Sequence, residues 1–89
     1  MKKIIIDETI ESKNQLHAIL KEKLMLPDYY GRNLDALWDC LTGDIDLPLT
    51  LEWKRFSQVR ETLGDYGDKL LELLQSAEKE GIGFKLVID

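Results

Sequence analysis

The sequence predicts an α/β fold in which a small three-stranded parallel sheet packs against four helices. The apolar residues follow strand-like and helix-like spacing in the order strand, helix, helix, strand, helix, helix, strand. Connections that contain two helices are long enough to join parallel strands through right-handed crossovers. A length of 89 residues matches a single domain over residues 1–89 with one compact core.

The first strand is predicted at Lys3–Asp7, where a run of isoleucines with little polar alternation is typical of a strand buried on both faces. Ser12 is the predicted N-cap of the first helix, and Gln15 completes a capping box. Pro27 ends the helix, because the residue before a proline is disfavoured in helical geometry. The apolar stripe of this helix consists of Leu16, Ile19, Leu20 and Leu24.

The second helix follows a loop over residues 28–32 that carries two tyrosines and a glycine. Asn33 is a favourable N-cap, and Gly43 is a natural stop. Between them, apolar residues recur with helical spacing at Leu34, Leu37, Trp38 and Leu41. The second strand is predicted at Leu47–Trp53, with Pro48 near its beginning, where a missing N–H is tolerated.

Two further helices and a last strand complete the predicted fold. The third helix ends near Gly64, and its apolar positions are Phe56, Val59 and Leu63. The fourth helix ends at Gly81, and its apolar positions are Leu70, Leu73, Leu74 and Ala77. In the last strand, Phe84–Ile88, apolar residues of one face alternate with Lys85 and Val87.

The composition excludes several classes of protein. No wholly apolar run exceeds three residues, as in Ile4–Ile6, so neither a membrane span nor a signal peptide is expected. Cys40 is the only cysteine, which excludes an intrachain disulfide and a zinc site built from several thiolates. These features favour a cytoplasmic protein without a metal or cofactor. Cys40 itself is interpreted as a small packing residue.

The net charge of −5 comes from one segment of the chain. Residues 33–53 contain no Lys or Arg and five acids, namely Asp35, Asp39, Asp44, Asp46 and Glu52. The other 12 acids are balanced by 12 bases. This distribution argues against nucleic-acid binding, which needs a basic surface, and favours a basic partner. The alternative is a solvated acidic face that keeps the protein soluble.

Asp35 and Asp39 lie four residues apart on the second predicted helix and therefore project from the same side, and Thr42 extends the row. We call these three residues the acidic row. It is offset from the apolar stripe, so it is predicted to face solvent. Like charges at this spacing destabilise a helix by roughly 0.2–0.5 kcal/mol, and the helix has no base to offset that cost. A base from another part of the fold is a structural alternative to a functional role.

The acidic row has two functional interpretations. A catalytic acid–base pair would require a pocket around both carboxylates, and no nucleophile motif, phosphate-binding glycine loop or metal-ligand cluster accompanies it. Carboxylates that mimic phosphates would instead fill a partner's anion site, with nearby aromatic side chains supplying buried contact area. Tyr29, Tyr30 and Trp38 are the candidate aromatics. One of the adjacent tyrosines is expected in the core, and Trp38 is expected to straddle core and surface.

Residues 26–43 read LPDYYGRNLDALWDCLTG. This segment closely resembles the signature of the barstar family, intracellular inhibitors of the secreted bacterial ribonuclease barnase. The resemblance continues weakly to the last strand and covers the whole chain. It implies the same fold, no enzymatic activity, and a free monomer that forms a one-to-one complex with a basic ribonuclease and contacts no membrane. It also implies a cis proline at Pro48, preceded here by Leu47.

The resemblance further implies which residues contact the nuclease. The aspartate that matches Asp39 occupies a phosphate subsite, and the tyrosine that matches Tyr29 packs against the catalytic histidine. Glu80 matches a peripheral charge, and Asp44 lies at the rim of the contact. The remaining implied contact residues are Gly31, Asn33, Leu34, Asp35, Trp38 and Thr42.

The chain departs from the family pattern at the rim. The family has an acid where this chain has Arg32, an aromatic residue where it has Asp44, an acid where it has Ser76, and a second cysteine where it has Ile82. Because specificity is a difference of affinities, these changes suggest a related nuclease with a differently charged rim. The alternative is an immunity or adaptor protein that binds another basic toxin or enzyme through the same acidic helix.

Overall fold

A computed structural model describes residues 2–88 and confirms the predicted α/β fold. Its elements are β1 (Lys2–Ile6), α1 (Lys13–Leu24), α2 (Leu34–Gly43), β2 (Leu49–Trp53), α3 (Phe56–Leu63), α4 (Asp65–Lys79) and β3 (Phe84–Ile88). Compared with the predicted bounds, β1 begins and ends one residue earlier and β2 begins two residues later, after the proline. Within residues 2–88, no helix has the length and apolar character needed to cross a membrane.

The sheet is parallel, as predicted, with β2 between β1 and β3. Leu51 of the central strand pairs with Ile4 and Leu86, and this face of the sheet lies against the helices. The other face is exposed, so the prediction that β1 is buried on both faces is wrong. Ile5 is 43% exposed and Val87 is 39% exposed. The cause is that β1 is an edge strand and the hydrophobic core covers only one side of the sheet.

Helix α1 is capped by a side chain at its N-terminus and by the backbone at its C-terminus. The Ser12 hydroxyl accepts a hydrogen bond from the Gln15 N–H at 3.1 Å, as a capping box requires. The reciprocal bond is shifted by one residue, because the Gln15 side chain accepts from the Glu11 N–H at 2.6 Å. The helix ends at Leu24, earlier than the proline predicted, because Met25 adopts a left-handed conformation with φ 54°.

The predicted start of α2 is confirmed, since the Asn33 side chain accepts a hydrogen bond from the Ala36 N–H at 2.7 Å. Gly43 is the last helical residue, and the N–H of the following Asp44 donates to the Cys40 carbonyl at 2.9 Å. The peptide bond between Leu47 and Pro48 is cis, as the resemblance implied. Asp44 follows Gly43 directly and lies at the C-terminal end of α2.

The core draws on every helix and strand. Trp53 of β2 is fully buried and meets Phe56 of α3 edge to face, with ring centroids 5.1 Å apart. Helices α3 and α4 approach closely at Gly67, where a Cβ would lie 2.9 Å from the Arg60 Cα and 3.2 Å from the Val59 carbonyl oxygen. Only glycine fits this contact without a shift of one helix.

Gly67→Ala is therefore expected to destabilise the protein, although alanine is the better helix former by about 1 kcal/mol. Overpacking against the α3 backbone costs about 1–3 kcal/mol and outweighs that gain. Gly43→Ala is the matched control, because a Cβ at Gly43 has no atom within 4 Å. Urea unfolding of both variants measures the effect. A Gly67→Ala variant as stable as Gly43→Ala would contradict the close approach.

Candidate protein-binding site

The acidic row lies on the solvent face of α2, as predicted. Asp35 and Asp39 are exposed, whereas Leu37 and Leu41 on the opposite face are fully buried. Among residues 2–88, neither carboxylate forms an ion pair or hydrogen bond, so no base from another element offsets their repulsion. The hydroxyl of Thr42 donates to the Trp38 carbonyl at 2.8 Å. Two negative charges are thus presented to solvent without a partner within the described chain.

The two adjacent tyrosines of the loop point in opposite directions, which confirms that one of them belongs to the core. Tyr30 is 6% exposed, whereas Tyr29 is 75% exposed. Trp38 is half-buried, as expected for a ring that straddles core and surface. A large aromatic surface at Tyr29 therefore lies open next to the first turn of α2, in a form that favours contact with another protein.

Tyr29 is linked to the end of α2 through Asp44. Its hydroxyl donates a hydrogen bond to the Asp44 carboxylate at 3.2 Å. That hydrogen bond, together with the negative charge of Asp44, raises the pKa of Tyr29 above its ordinary value. The contact connects the loop before α2 with the residue after it, so the exposed ring is held across the side of the helix.

A pocket of about 240 Å³ lies between the loop and α2, lined by Tyr29, Tyr30, Gly31, Ala36, Asp39, Cys40 and Asp44. Asp39 and Asp44 give it negative charge, and the aromatic rings give it apolar surface. Burial, followed by the charge of Asp44, raises the pKa of the Cys40 thiol, so this side chain remains neutral. The prediction that Cys40 is a packing residue is consistent with its 3% exposure. Its negative charge makes the pocket complementary to a cationic group.

The pocket brings together four of the ten predicted site residues, which are Tyr29, Gly31, Asp39 and Asp44. The others lie outside it: Asn33, Leu34, Asp35, Trp38, Thr42 and Glu80. Five of these six are on α2 or at its N-cap, whereas Glu80 is exposed at the C-terminal end of α4. Because Asp35 is outside the pocket, the two carboxylates of the acidic row do not share a concave site.

The loop before α2 has a defined shape. The Tyr30 N–H donates to the Pro27 carbonyl at 3.0 Å and closes a turn, and Arg32 adopts a left-handed conformation with φ 55°. The Asn33 amide donates to the Gly31 carbonyl at 3.3 Å. A Cβ at Gly31 would lie 3.2 Å from the Ala36 Cβ, so glycine lets the loop lie close against α2. We call residues 27–33 the binding loop.

Sequence reasoning missed the side chain on which this loop rests. His17 of α1 is 2% exposed, and its Nδ1 lies 2.6 Å from the hydroxyl of Tyr30. Its Nε2 lies 2.6 Å from the hydroxyl of Tyr66 at the start of α4. Burial, followed by the charge of Arg32, lowers the pKa of His17 below its ordinary value. The available signal was its spacing, since His17 precedes the buried Leu20 and Leu24 at helical intervals.

Comparison with known proteins identifies the family. The family model described as "Barstar (barnase inhibitor)" matches residues 1–89. A protein of Bacillus subtilis (strain 168) named "Putative ribonuclease inhibitor YrdF" is 55% identical over 91 aligned residues, which cover 100% of both chains. Both matches span the whole length of the chain, and the chain belongs to the barstar family.

Proposed function

We propose that this protein inhibits a microbial ribonuclease by inserting α2 and the binding loop into the active site of the nuclease. The observation that carries the proposal is the acidic row, whose two carboxylates are exposed and lack a partner among residues 2–88. Membership of a family described as barnase inhibitors supports the inhibition of a ribonuclease. The name of the Bacillus subtilis relative supports it as well.

The proposed mechanism is mimicry of the RNA phosphates. A ribonuclease binds its substrate through basic groups, and a carboxylate on a rigid helix can accept the same charge-assisted hydrogen bonds. Asp39 takes the phosphate subsite, and Asp35, one helical turn earlier, pairs with a neighbouring basic residue. No salt bridge within residues 2–88 has to be broken before these carboxylates pair with the nuclease, so the new charge-assisted hydrogen bonds have only to offset the loss of bound water.

The aromatic and pocket residues supply the contact area around these charges. Tyr29 stacks on the imidazole of the catalytic histidine, whose edge enters the pocket beside Asp39. Trp38 and Leu34, both half-buried, extend the apolar contact along α2. Tyrosine and tryptophan are favoured at the centre of protein interfaces because they bury a large area with little loss of side-chain entropy.

The rim of the interface directs specificity in this proposal. Gly31, Asn33 and Thr42 contribute contacts beside the central charges, and Glu80 adds a distant negative charge. Arg32, Asp44 and Ser76 differ from the family pattern and are all exposed. We therefore expect the partner to be a relative of barnase whose rim carries a different arrangement of charges.

The complex is expected to contain one inhibitor and one nuclease and to bury about 1,600 Å² in total, the area typical of stable inhibitor complexes. The inhibitor acts in the cytoplasm and is a monomer when free. The localised negative charge accelerates encounter with a basic partner, so association slows as salt is added.

Two alternative functions would also depend on α2. An immunity or adaptor protein would direct the acidic row to another basic toxin or enzyme, and the altered rim is the feature that favours this second candidate. Catalysis by the carboxylate pair is not proposed, because Asp39 lines the pocket whereas Asp35 lies outside it.

Asp39→Ala is expected to weaken inhibition of a guanyl-specific microbial ribonuclease at least tenfold, which corresponds to about 1.4 kcal/mol. Glu72→Ala is the matched control, because Glu72 is an exposed helical acid on α4. RNA cleavage is followed at several inhibitor and salt concentrations. Equal inhibition by Asp39→Ala and Glu72→Ala would show that the acidic row is not the interface.

If the unmodified protein inhibits no such nuclease, a ribonuclease target is wrong. Affinity capture from the source organism then tests the second candidate, with Asp39→Ala as the comparison. A partner held by the unmodified protein and lost with Asp39→Ala identifies a different target for the same helix.

Asp44→Asn is expected to lower the pKa of Tyr29 toward its ordinary value of 10.0, because the substitution removes the negative charge beside the hydroxyl. Asp46→Asn removes the same charge two residues away and is the control. Alkaline titration of the Tyr29 ring signal by NMR measures the difference. An identical Tyr29 pKa in both variants would contradict the contact with Asp44.

A further inference from the structure

We infer that His17 is a positioning residue for partner binding, because its imidazole accepts a hydrogen bond from the hydroxyl of Tyr30 and so holds the binding loop in the conformation that presents Tyr29. The inference rests on the proposed function, since it assigns the loop to the interface. It adds a residue on α1 that is buried and that contacts no partner itself.

The geometry joins three separate parts of the chain at one side chain. The imidazole is on α1, one hydroxyl is on the binding loop, and the other hydroxyl is at the start of α4. Both hydrogen bonds are 2.6 Å long. The ring of Tyr30 is tilted by 52° to the imidazole, and the ring of Tyr66 is nearly perpendicular to it at 80°. The imidazole is therefore fixed from both sides.

The bond to His17, together with the burial of the Tyr30 ring in the hydrophobic core, attaches the binding loop to the interior. Among residues 2–88, it is the one buried side-chain hydrogen bond that leaves the loop. The other attachments are exposed: Tyr29 bonds Asp44 at 3.2 Å, and Lys21 and Asp28 are 3.7 Å apart. Exposed contacts of this kind contribute little, so Tyr30 determines where the loop lies.

The surroundings determine which nitrogen of the neutral imidazole carries the hydrogen. If Nδ1 carried it, the Tyr30 oxygen would accept, and the hydroxyl hydrogen of this buried residue would have no acceptor among residues 2–88. With the hydrogen on Nε2, Tyr30 donates to Nδ1, and Tyr66 accepts from Nε2. Tyr66 is partly exposed and can donate its own hydrogen to water. The second tautomer satisfies every group, so it is the stable one.

Protonation of His17 breaks the hydrogen bond that the Tyr30 hydroxyl donates to Nδ1. A proton on Nδ1 converts the acceptor into a donor, and the Tyr30 hydrogen is left without a buried acceptor. The charge also meets an unfavourable environment. Arg32 of the loop repels it, Lys13 lies 4.5 Å from the centre of the Tyr66 ring, and Cys40 of α2 is a neutral thiol. Because the pKa of His17 is lowered, the loss occurs at acidic pH, below the ordinary value of 6.5.

The binding surface responds because Tyr30 is part of it. Tyr30 lines the same pocket as Tyr29 and Asp39, and its chain neighbours Tyr29 and Gly31 are predicted contact residues. A shift of Tyr30 out of its buried position moves both neighbours and changes the shape of the pocket. Protonation of a residue in the core thereby weakens the interface without changing the acidic row.

The first test uses the free protein and needs no partner. In a pH titration followed by NMR, the amide signals of Tyr29, Gly31 and Arg32 are expected to shift with the same midpoint as the His17 ring. In His17→Gln, they are expected to stay in place, because a glutamine amide offers both an acceptor and a donor but does not titrate. Loop signals that do not follow the His17 midpoint in the unmodified protein would overturn the inference.

The second test measures dissociation from a guanyl-specific ribonuclease for the unmodified protein and His17→Gln at each pH. Their ratio cancels the titration of the nuclease itself. The ratio of the dissociation rate of the unmodified protein to that of His17→Gln is expected to rise about fivefold from neutral to acidic pH, because only the unmodified protein carries the titrating imidazole. A ratio that does not change with pH would overturn the inference. If neither protein binds the nuclease, the proposed function fails, and the free-protein titration still decides the role of His17.

Two further variants separate positioning from general stability. Tyr30→Phe removes the hydroxyl that His17 accepts, so the loop signals are expected to lose their dependence on the His17 titration. Tyr66→Phe removes the other hydroxyl and leaves the loop contact intact, so this dependence is expected to remain. Thermal unfolding is measured for both variants. If both lose the dependence in proportion to their loss of stability, His17 has only a structural role.

Discussion

The constraint on which the structure depends is that this three-stranded parallel sheet builds the core on only one of its faces. All of the buried leucines and aromatic residues lie on that side, and the helices must share it. Each helix therefore keeps one face in the core and one in solvent. For α2 this division separates Leu37 and Leu41 from Asp35 and Asp39, so the core side holds the helix while the solvent side remains available for binding.

The element order was predictable from the sequence because apolar spacing is a local signal. Helices and strands follow from residues a few positions apart, and the acidic row follows from one helical turn. The burial of β1 was not predictable, because a run of isoleucines reads the same whether one or both faces are covered. His17 contacts Tyr30 and Tyr66, which are 13 and 49 positions away in the sequence. The apolar periodicity of a helix or strand does not predict contacts over such sequence separations.

The candidate site also contains contacts between residues far apart in the sequence, which the sequence pattern does not predict. The sequence predicted that Asp35 and Asp39 face solvent and that one of the two adjacent tyrosines is buried. It did not show that Tyr29 meets Asp44, since these residues are 15 positions apart and lie at opposite ends of α2. It also missed the pocket between them, because a pocket depends on how the binding loop packs against the helix and not on the order of residue types.

Substitutions of buried and of exposed residues are expected to affect the candidate site differently. Tyr30 is buried in the binding loop, and its position is tied to His17, so a change there moves the contact surface as a whole. Arg32 in the loop before α2, Asp44 just after α2 and Ser76 on α4 are all exposed and fill no part of the core. Substitutions at Arg32 and Ser76 alter charge without removing a core contact, whereas a substitution at Asp44 also removes the hydrogen bond from Tyr29. Under the proposed function, changes at exposed positions such as these alter the preference among partners, because specificity is a difference of affinities, while Asp35, Asp39 and the contact between Tyr30 and His17 stay the same.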